Sequence, residues 1–120
     1  MQDFRRLKVS ECAHQLVLRT YSETRCFPPA ETYGLTSQIR RAAASIPANI
    51  AEGCGCSGDA ELARFAQIAM GSASELEYHL LLARDLGFLS DAAHDTLLKE
   101  LLQVKKMLSS LIVHLRKSAR

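Results

Sequence analysis

The apolar residues of segment 35–53 recur every three or four positions, and this spacing most limits how the chain can fold. The repeat consists of Leu35, Ile39, Ala42, Ala43, Ile46 and Ile50. Such spacing places side chains on one face of a helix, where a neighbouring element can bury them. Pro47 lies inside the same segment; it lacks an amide hydrogen and its ring presses on the preceding turn, so a bend is expected. The segment predicts a specialised packing helix.

Three further segments have helical periodicity, and prolines or glycines separate them. The consecutive residues Pro28 and Pro29 cannot continue a helix, and Gly53 is suited to a left-handed stop. Ser57 or Asp59 is expected to cap the third helix and Ser90 the fourth. The pattern predicts helices at about 8–26, 35–53, 59–87 and 91–117. Short connections between long helices are typical of antiparallel neighbours, so we expect one all-α domain, residues 1–120, folded as an antiparallel up-down-up-down four-helix bundle.

Two details of the later helices bear on packing. Gly71 lies in the middle of the third helix at a cost of about 1 kcal/mol relative to alanine, which close approach by another helix would explain. In the fourth helix, apolar residues alternate at spacings of four and three, a heptad seam. The seam consists of Leu97, Leu101, Val104, Leu108, Leu111 and Leu115. Leu98, Leu102 and Ile112 widen it, so they either complete a monomer core or face another subunit.

Composition excludes several classes of protein. The chain has 120 residues, of which 48% are hydrophobic and 23% charged, as in ordinary globular proteins. No apolar run approaches the roughly 18 residues of a membrane span, and no charged-then-apolar leader opens the chain. Neither a membrane partner nor secretion is indicated, and a cytoplasmic location is expected.

The formal net charge is only +2, but its distribution is uneven, since no acidic residue follows Glu100. Exposed cations can bind phosphates; the alternative is that they stabilise a helix C-terminus and a solvated tail. Few aromatic residues accompany them, so base stacking is not suggested, and binding is expected to use phosphates and shape. The candidate nucleic-acid-binding residues are Arg5, Arg6, Arg40, Arg41, Lys105, Lys106, Arg116 and Lys117.

A second set of polar residues follows helical spacing beside the apolar stripes of the second and third helices. The set consists of Arg41, Ser45, Asn49, Glu52, Arg64, Ser72 and Glu75. Buried polar groups persist when they satisfy one another, because an unpaired group costs about 1–3 kcal/mol. We expect a structural polar network that fixes the register of the two helices. It contains no histidine or cysteine to act as a base or nucleophile, so no catalytic residue is predicted there.

Metal and cofactor chemistry are not predicted either. The pair Cys54 and Cys56 is too closely spaced for a structural zinc site. A di-iron bundle needs Glu-x-x-His pairs, whereas Glu75 is followed by Tyr78 and Glu77 by Leu80. Phosphate-binding glycine loops and hydrolase motifs are absent from the sequence. We therefore expect a protein that is not an enzyme and has no metal or cofactor.

Three separated motifs make the chain resemble a known bacterial family. They are the segment 33–53, the run Gly71-Ser72-Ala73-Ser74-Glu75-Leu76-Glu77, and the run Leu82-Ala83-Arg84-Asp85-Leu86-Gly87-Phe88-Leu89. The family comprises small four-helix bundles encoded in intervening sequences of 23S ribosomal RNA genes, together with accessory proteins of diversity-generating retroelements. The resemblance runs from about residue 4 to 115.

The resemblance implies self-association as a homopentamer, often with a basic surface. A ring multiplies the few cations of each subunit, so a weak patch becomes a substantial one. The expected function is a non-enzymatic oligomer that binds structured RNA or DNA through a basic surface. The alternative is a protein-interaction or assembly module with no nucleic-acid role and another protein as its partner.

Overall fold

The computed structural model describes residues 3–119. Within them lie four α-helices: α1 (Lys8–Glu23), α2 (Leu35–Cys54), α3 (Asp59–Asp85) and α4 (Asp91–Ser118). Two short 3₁₀ turns, Phe4–Arg6 and Pro29–Glu31, precede α1 and α2, and the described residues form no strand. The predicted all-α class with four helices is confirmed. The first helix ends at Glu23, earlier than predicted, and the chain then turns so that Phe27 enters the core beside Phe88.

The helices pack in a ring around one hydrophobic core. Each helix contacts two others: α1 with α2, α2 with α3, α3 with α4, and α4 with α1. Each contributes side chains with no exposed surface, such as Leu16, Ile46, Leu76 and Leu101. The α2–α3 contact is the most extensive. None of the helices in the described region is long and apolar enough to cross a membrane.

Close helix approach occurs at Gly53, whereas the sequence pattern placed it at Gly71. A Cβ atom on Gly53 would lie 2.8 Å from Phe65 Cβ and 2.9 Å from Leu62 Cδ1. Gly53 is therefore a helical, buried contact residue and does not provide the predicted left-handed stop, since α2 continues to Cys54. Gly71 is exposed, and a Cβ there would meet nothing within 4 Å.

Glycines with positive φ flank α3. Gly58, with φ of 87°, precedes the helix and supplies no side-chain cap, so the predicted capping by Ser57 or Asp59 is wrong. Gly87, with φ of 82°, follows it; its amide bonds the Arg84 carbonyl, and the Phe88 amide bonds the Ala83 carbonyl. This is a Schellman C-cap, which needs a left-handed residue. At the start of α4, Ser90 Oγ accepts from the Ala93 amide at 3.1 Å, as predicted.

The buried stripe of α4 departs from the predicted heptad at one position. Leu97, Leu101, Val104, Leu108 and Leu115 are buried, but Ile112 replaces Leu111, which is only half-buried. A straight helix has 3.6 residues per turn and drifts away from a strict seven-residue repeat. Of the other widening residues, Leu98 is half-buried and Leu102 is 47% exposed.

Candidate nucleic-acid interface

A groove of about 710 Å³ lies between the end of α1, the turn that follows it, and the part of α2 from Thr36 to Ala48. Three arginines line it, Arg25, Arg40 and Arg41, together with the aromatic residues Tyr21, Tyr33 and Phe27. The other lining residues are small or carry hydroxyl groups: Thr24, Thr32, Thr36, Ser37, Ala44, Ser45 and Ala48. We call this feature the α1–α2 groove. It combines positive charge, hydroxyls and aromatic rings in one concave surface.

Neutral groups of α1 and its C-terminal cap hold Arg40. Its Nε donates a hydrogen bond to Thr24 Oγ1 at 2.9 Å, and its Nη2 donates a longer one to the Tyr21 carbonyl at 3.4 Å. The guanidinium carbon lies 4.6 Å from the centre of the Tyr21 ring, a cation–π contact. Thr24 is fixed in turn, because its hydroxyl donates to the Thr20 carbonyl at 2.9 Å. Arg40 is thus oriented without its charge being neutralised.

The other two arginines of the groove also form no ion pair with a carboxylate among the described residues. Arg41 Nη2 donates to Ser37 Oγ at 3.4 Å, and Arg25 is exposed. Among residues 3–119, no ion pair involves Arg25, Arg40 or Arg41. The neighbouring Glu31 caps α2, since its Oε1 accepts from the Leu35 amide at 3.1 Å. The groove therefore presents positive charge that is not balanced by a local ion pair.

Tyr33 lies in the turn before α2 and is 97% exposed. Helical periodicity does not predict that aromatic rings accompany the arginines, because it compares residues of one helix only. The signal was the Pro28-Pro29 break: two helices joined by a short turn bring the residues that flank it together. Tyr21, from the end of α1, and Tyr33 thereby reach the same groove as Arg40 and Arg41.

The remaining predicted cations do not join the groove. Lys105 Nζ forms an ion pair with Glu77 Oε1 at 2.9 Å, while Lys106 beside it is exposed. Arg5 lies 3.8 Å from Asp3 in the 3₁₀ turn that also contains Arg6. Near the end of α4, Arg116 lines a separate groove with Ala60 and Arg64 of α3, and Lys117 is exposed. The eight residues thus lie on several surfaces.

Part of the predicted polar network joins α2 to α3. Ser45 Oγ and Ser72 Oγ lie 2.8 Å apart, within hydrogen-bond distance. Asn49 Nδ2 donates to the Ser45 carbonyl at 2.8 Å and to Ser45 Oγ at 2.9 Å. All three residues are half-buried. The Ser45–Ser72 bond crosses between the helices and favours one register, and Asn49 holds the Ser45 side chain in place.

The other four predicted members find partners elsewhere or face solvent. Arg41 bonds Ser37, Arg64 pairs with Glu61 at 3.2 Å, and Glu75 Oε2 lies 3.4 Å from His79 Nε2. Glu52 is exposed. The seven-residue network is therefore too large, because partners one turn away on the same helix are closer than those on the next helix. The hydrogen bond between Arg64 and Glu61 lowers the pKa of the Glu61 carboxyl and raises the pKa of Arg64.

The cysteines do not form a site. Cys12, Cys26, Cys54 and Cys56 are free thiols, and burial raises the pKa of the Cys54 thiol. Cys56 Sγ donates to the Glu52 carbonyl at 3.4 Å. Over residues 3–119, histidine, cysteine and acidic side chains form no group of three or more that could hold a metal ion.

Comparisons with known proteins give one family. Residues 5–110 match the model of a family described as 23S rRNA-intervening sequence protein. A similar solved structure is that of a protein with unknown function from the S23 ribosomal protein family of Bacteroides thetaiotaomicron VPI-5482. It has a TM-score of 0.78 and 23% sequence identity, over 87% of this chain and 97% of that chain, and at this identity it shows the fold alone. A search of curated proteins found no match. Because the family model spans most of the chain, including the α1–α2 groove and the Ser45–Asn49–Ser72 cluster, this protein belongs to the 23S rRNA-intervening sequence protein family.

Proposed function

We propose that this protein is a non-enzymatic helical bundle that binds structured RNA or DNA through phosphate contacts. The observation that carries the proposal is the α1–α2 groove, where Arg25, Arg40 and Arg41 have no carboxylate partner among the described residues. Each phosphate that a cation neutralises releases condensed counterions, and this release favours binding.

The fixed geometry of Arg40 suits a phosphate ligand. A guanidinium presents its donors in a planar fork that matches phosphate oxygens. In Arg40 the Nε and Nη2 edges bond neutral acceptors of the protein, while Nη1 has no protein partner within residues 3–119. Because the side chain is held before a ligand arrives, binding costs less conformational entropy than for a free arginine. Phosphate contacts of this kind position a nucleic acid without reading its sequence.

In this proposal the helices run alternately up and down and the protein acts in the cytoplasm. Two contacts between α3 and α4 support the alternating arrangement. Lys105 pairs with Glu77, whereas Arg116, farther along α4, lies beside Ala60, near the start of α3. Residues farther from the α3–α4 turn along α4 therefore lie beside earlier residues of α3, as expected for antiparallel neighbours.

We also propose assembly as a homopentamer, as the family resemblance implies. Exposed apolar side chains on α4, Leu102 and Val113, support contact with further copies. Assembly would place several α1–α2 grooves on one particle, and simultaneous contacts raise the overall affinity for a long nucleic acid. Light scattering on the purified protein would measure the mass. A mass of one chain would remove the multivalent part of the proposal.

The experiment that tests binding is fluorescence anisotropy with a structured RNA and a single-stranded DNA, at about 50 and 200 mM salt. We expect binding at the lower salt that falls steeply at the higher salt. Arg40→Gln should weaken binding, whereas Lys106→Gln, which removes one exposed charge outside the groove, should weaken it much less. Absence of binding to both probes at the lower salt would contradict the proposal.

A second candidate function, protein assembly without nucleic acid, is favoured by a different surface. Tyr78 is 59% exposed, and it lines a groove between α3 and α4 with Leu81 and Leu98. Exposed aromatic and aliphatic residues of this kind are enriched at protein interfaces. If the anisotropy experiment shows no binding, pull-down by the wild-type protein compared with Tyr78→Ser would test this candidate. Equal recovery of partners by both would contradict it.

A further inference from the structure

We infer that the α1–α2 groove holds one unpaired nucleotide, with its phosphate on Arg40 and Arg41 and its base stacked on Tyr33. The inference rests on the proposed nucleic-acid binding and specifies the class of substrate: single strands and unpaired loops, rather than continuous duplex. The inference is supported by the presence of guanidinium groups and a free aromatic ring in one groove.

Two aromatic rings of the groove have different roles. The face of Tyr21 is occupied, because the Arg40 guanidinium lies 4.6 Å from its ring centre. Tyr33 is 97% exposed, and among the described residues no aromatic or cation–π contact involves its ring. A ring with a free face beside a basic groove is the arrangement that single-strand binders use for stacking. Tyr33 is therefore the stacking residue, and Tyr21 positions Arg40.

The groove has the size and chemistry for one nucleotide. Its volume of about 710 Å³ lies in the range typical of small-molecule sites. Arg40 and Arg41 supply the donors for the phosphate, and hydroxyl groups such as those of Thr32 and Ser37 are present for the sugar. The α2 N-terminus contributes less, because the Glu31 carboxylate already accepts from the Leu35 amide.

Stacking of a base on Tyr33 explains why a duplex should bind less tightly than a single strand. In a duplex, the bases already stack on one another, and exposing one costs unpairing free energy. Arginine–phosphate contacts alone do not favour the single strand, because a duplex has the higher density of phosphate charge. A preference for single strands must therefore come from Tyr33, and substitutions can separate it from the phosphate contacts.

The first test is anisotropy at about 50 mM salt with three probes of equal length: a single-stranded RNA, the same backbone without bases, and the RNA as a duplex. We expect the single strand to bind roughly tenfold more tightly than the other two, which corresponds to about 1.4 kcal/mol and lies within the range typical of stacking one base on an aromatic ring. Tyr33→Ala should abolish this preference, and Tyr33→Phe, which keeps the ring, should retain it. Circular dichroism controls for folding.

A second readout follows from the absence of tryptophan. The chain has three tyrosines and no tryptophan, so its intrinsic fluorescence is tyrosine emission. A base stacked on Tyr33 should quench part of this emission. Tyr33→Phe should remove that quenching while leaving affinity unchanged, whereas Tyr78→Phe should leave the quenching in place.

The outcomes separate this inference from the proposed function. If the three probes bind equally, or if Tyr33→Ala leaves the single-strand preference intact, the stacking inference is overturned while phosphate binding stands. If none of the probes binds, both are overturned.

Discussion

The two sides of α2 differ in how they use polar side chains. Toward α3, small residues allow close approach; Ser45 bonds Ser72 across the contact, and Asn49 bonds Ser45 on the same helix. Toward α1, Arg40 extends to Thr24 and Tyr21 and leaves the α1–α2 groove open beside them. The side that faces α3 satisfies its polar groups internally and sets the register; the side that faces α1 leaves positive charge available to a ligand. Stability and binding should therefore respond to different substitutions on the same helix.

The largest effect is expected for Gly53→Ala, which disrupts the close α2–α3 contact. The added Cβ would lie 2.8 Å from Phe65 Cβ and 3.3 Å from the Leu62 Cα, so α3 must shift. We expect the free energy of unfolding to fall by about 2–3 kcal/mol, measured by urea denaturation. The control is Gly71→Ala, where the Cβ meets nothing within 4 Å; it should stabilise the protein by about 0.5–1 kcal/mol through helix propensity. Changes of the same sign in both variants would contradict this account of the contact.

The next largest effect on stability is expected from the hydrogen bonds on the side of α2 that faces α3. Asn49→Leu removes both hydrogen bonds to Ser45. We expect the free energy of unfolding to fall by about 1–2 kcal/mol, because Ser45 loses a partner in a half-buried position. Gln38→Leu, at an exposed position of α2, is the matched control and should have little effect. An unchanged melting temperature for Asn49→Leu would show that these bonds do not stabilise the helix pair.

On the side that faces α1, the double variant Arg40→Gln/Arg41→Gln should weaken binding while the protein remains folded. We expect about tenfold weaker binding of single-stranded RNA, or about 1.4 kcal/mol, measured by anisotropy. Thr24 keeps its hydrogen bond to the Thr20 carbonyl, but the loss of the Arg40 bonds to Thr24 and Tyr21 should lower the free energy of unfolding by about 1 kcal/mol, so binding is compared where both proteins are folded. Lys99→Gln/Lys106→Gln removes the same charge from exposed positions on α4 and is the control. Equal losses in the two double variants would show that net charge alone governs binding.

The smallest effect is expected for Glu31→Gln, which tests whether the carboxylate at the α2 cap weakens phosphate binding in the neighbouring groove. A glutamine oxygen can still accept from the Leu35 amide, so the cap of α2 is kept while a negative charge near the groove is removed. Affinity for RNA should rise about twofold at low salt and less at high salt, because the interaction is screened. Glu11→Gln, at an exposed position of α1, should leave affinity unchanged. A fall in affinity for Glu31→Gln would contradict the idea that the negative charge of Glu31 weakens RNA binding at the α1–α2 groove.

The positions of the four helices could be predicted from the sequence, whereas most of the partners of side chains could not. Apolar periodicity and the Pro28-Pro29 break locate the helices, because both act through nearby backbone geometry. The close helix contact lies at Gly53 of α2 and not at Gly71 of α3, and its place depends on where the two helices cross, which spacing along one helix does not reveal. The same holds for Arg64, which has Glu61 on its own helix as an alternative to the predicted partners. Tyr33 reaches the groove from the turn between α1 and α2, which the Pro28-Pro29 break marks but periodicity along one helix does not reveal.

The ring of helices also has a consequence for folding kinetics. Three of the four contacts between helices join helices that are consecutive in the chain, whereas the α1–α4 contact joins the first helix to the last. Closing that contact carries the greatest loop-closure entropy, so it should form late, after the rate-limiting barrier. The Arg19–Glu100 ion pair, 2.7 Å long, lies in this contact. Arg19→Gln should then speed unfolding and leave the refolding rate unchanged in stopped-flow measurements, and slower refolding would show that the chain ends meet before the barrier.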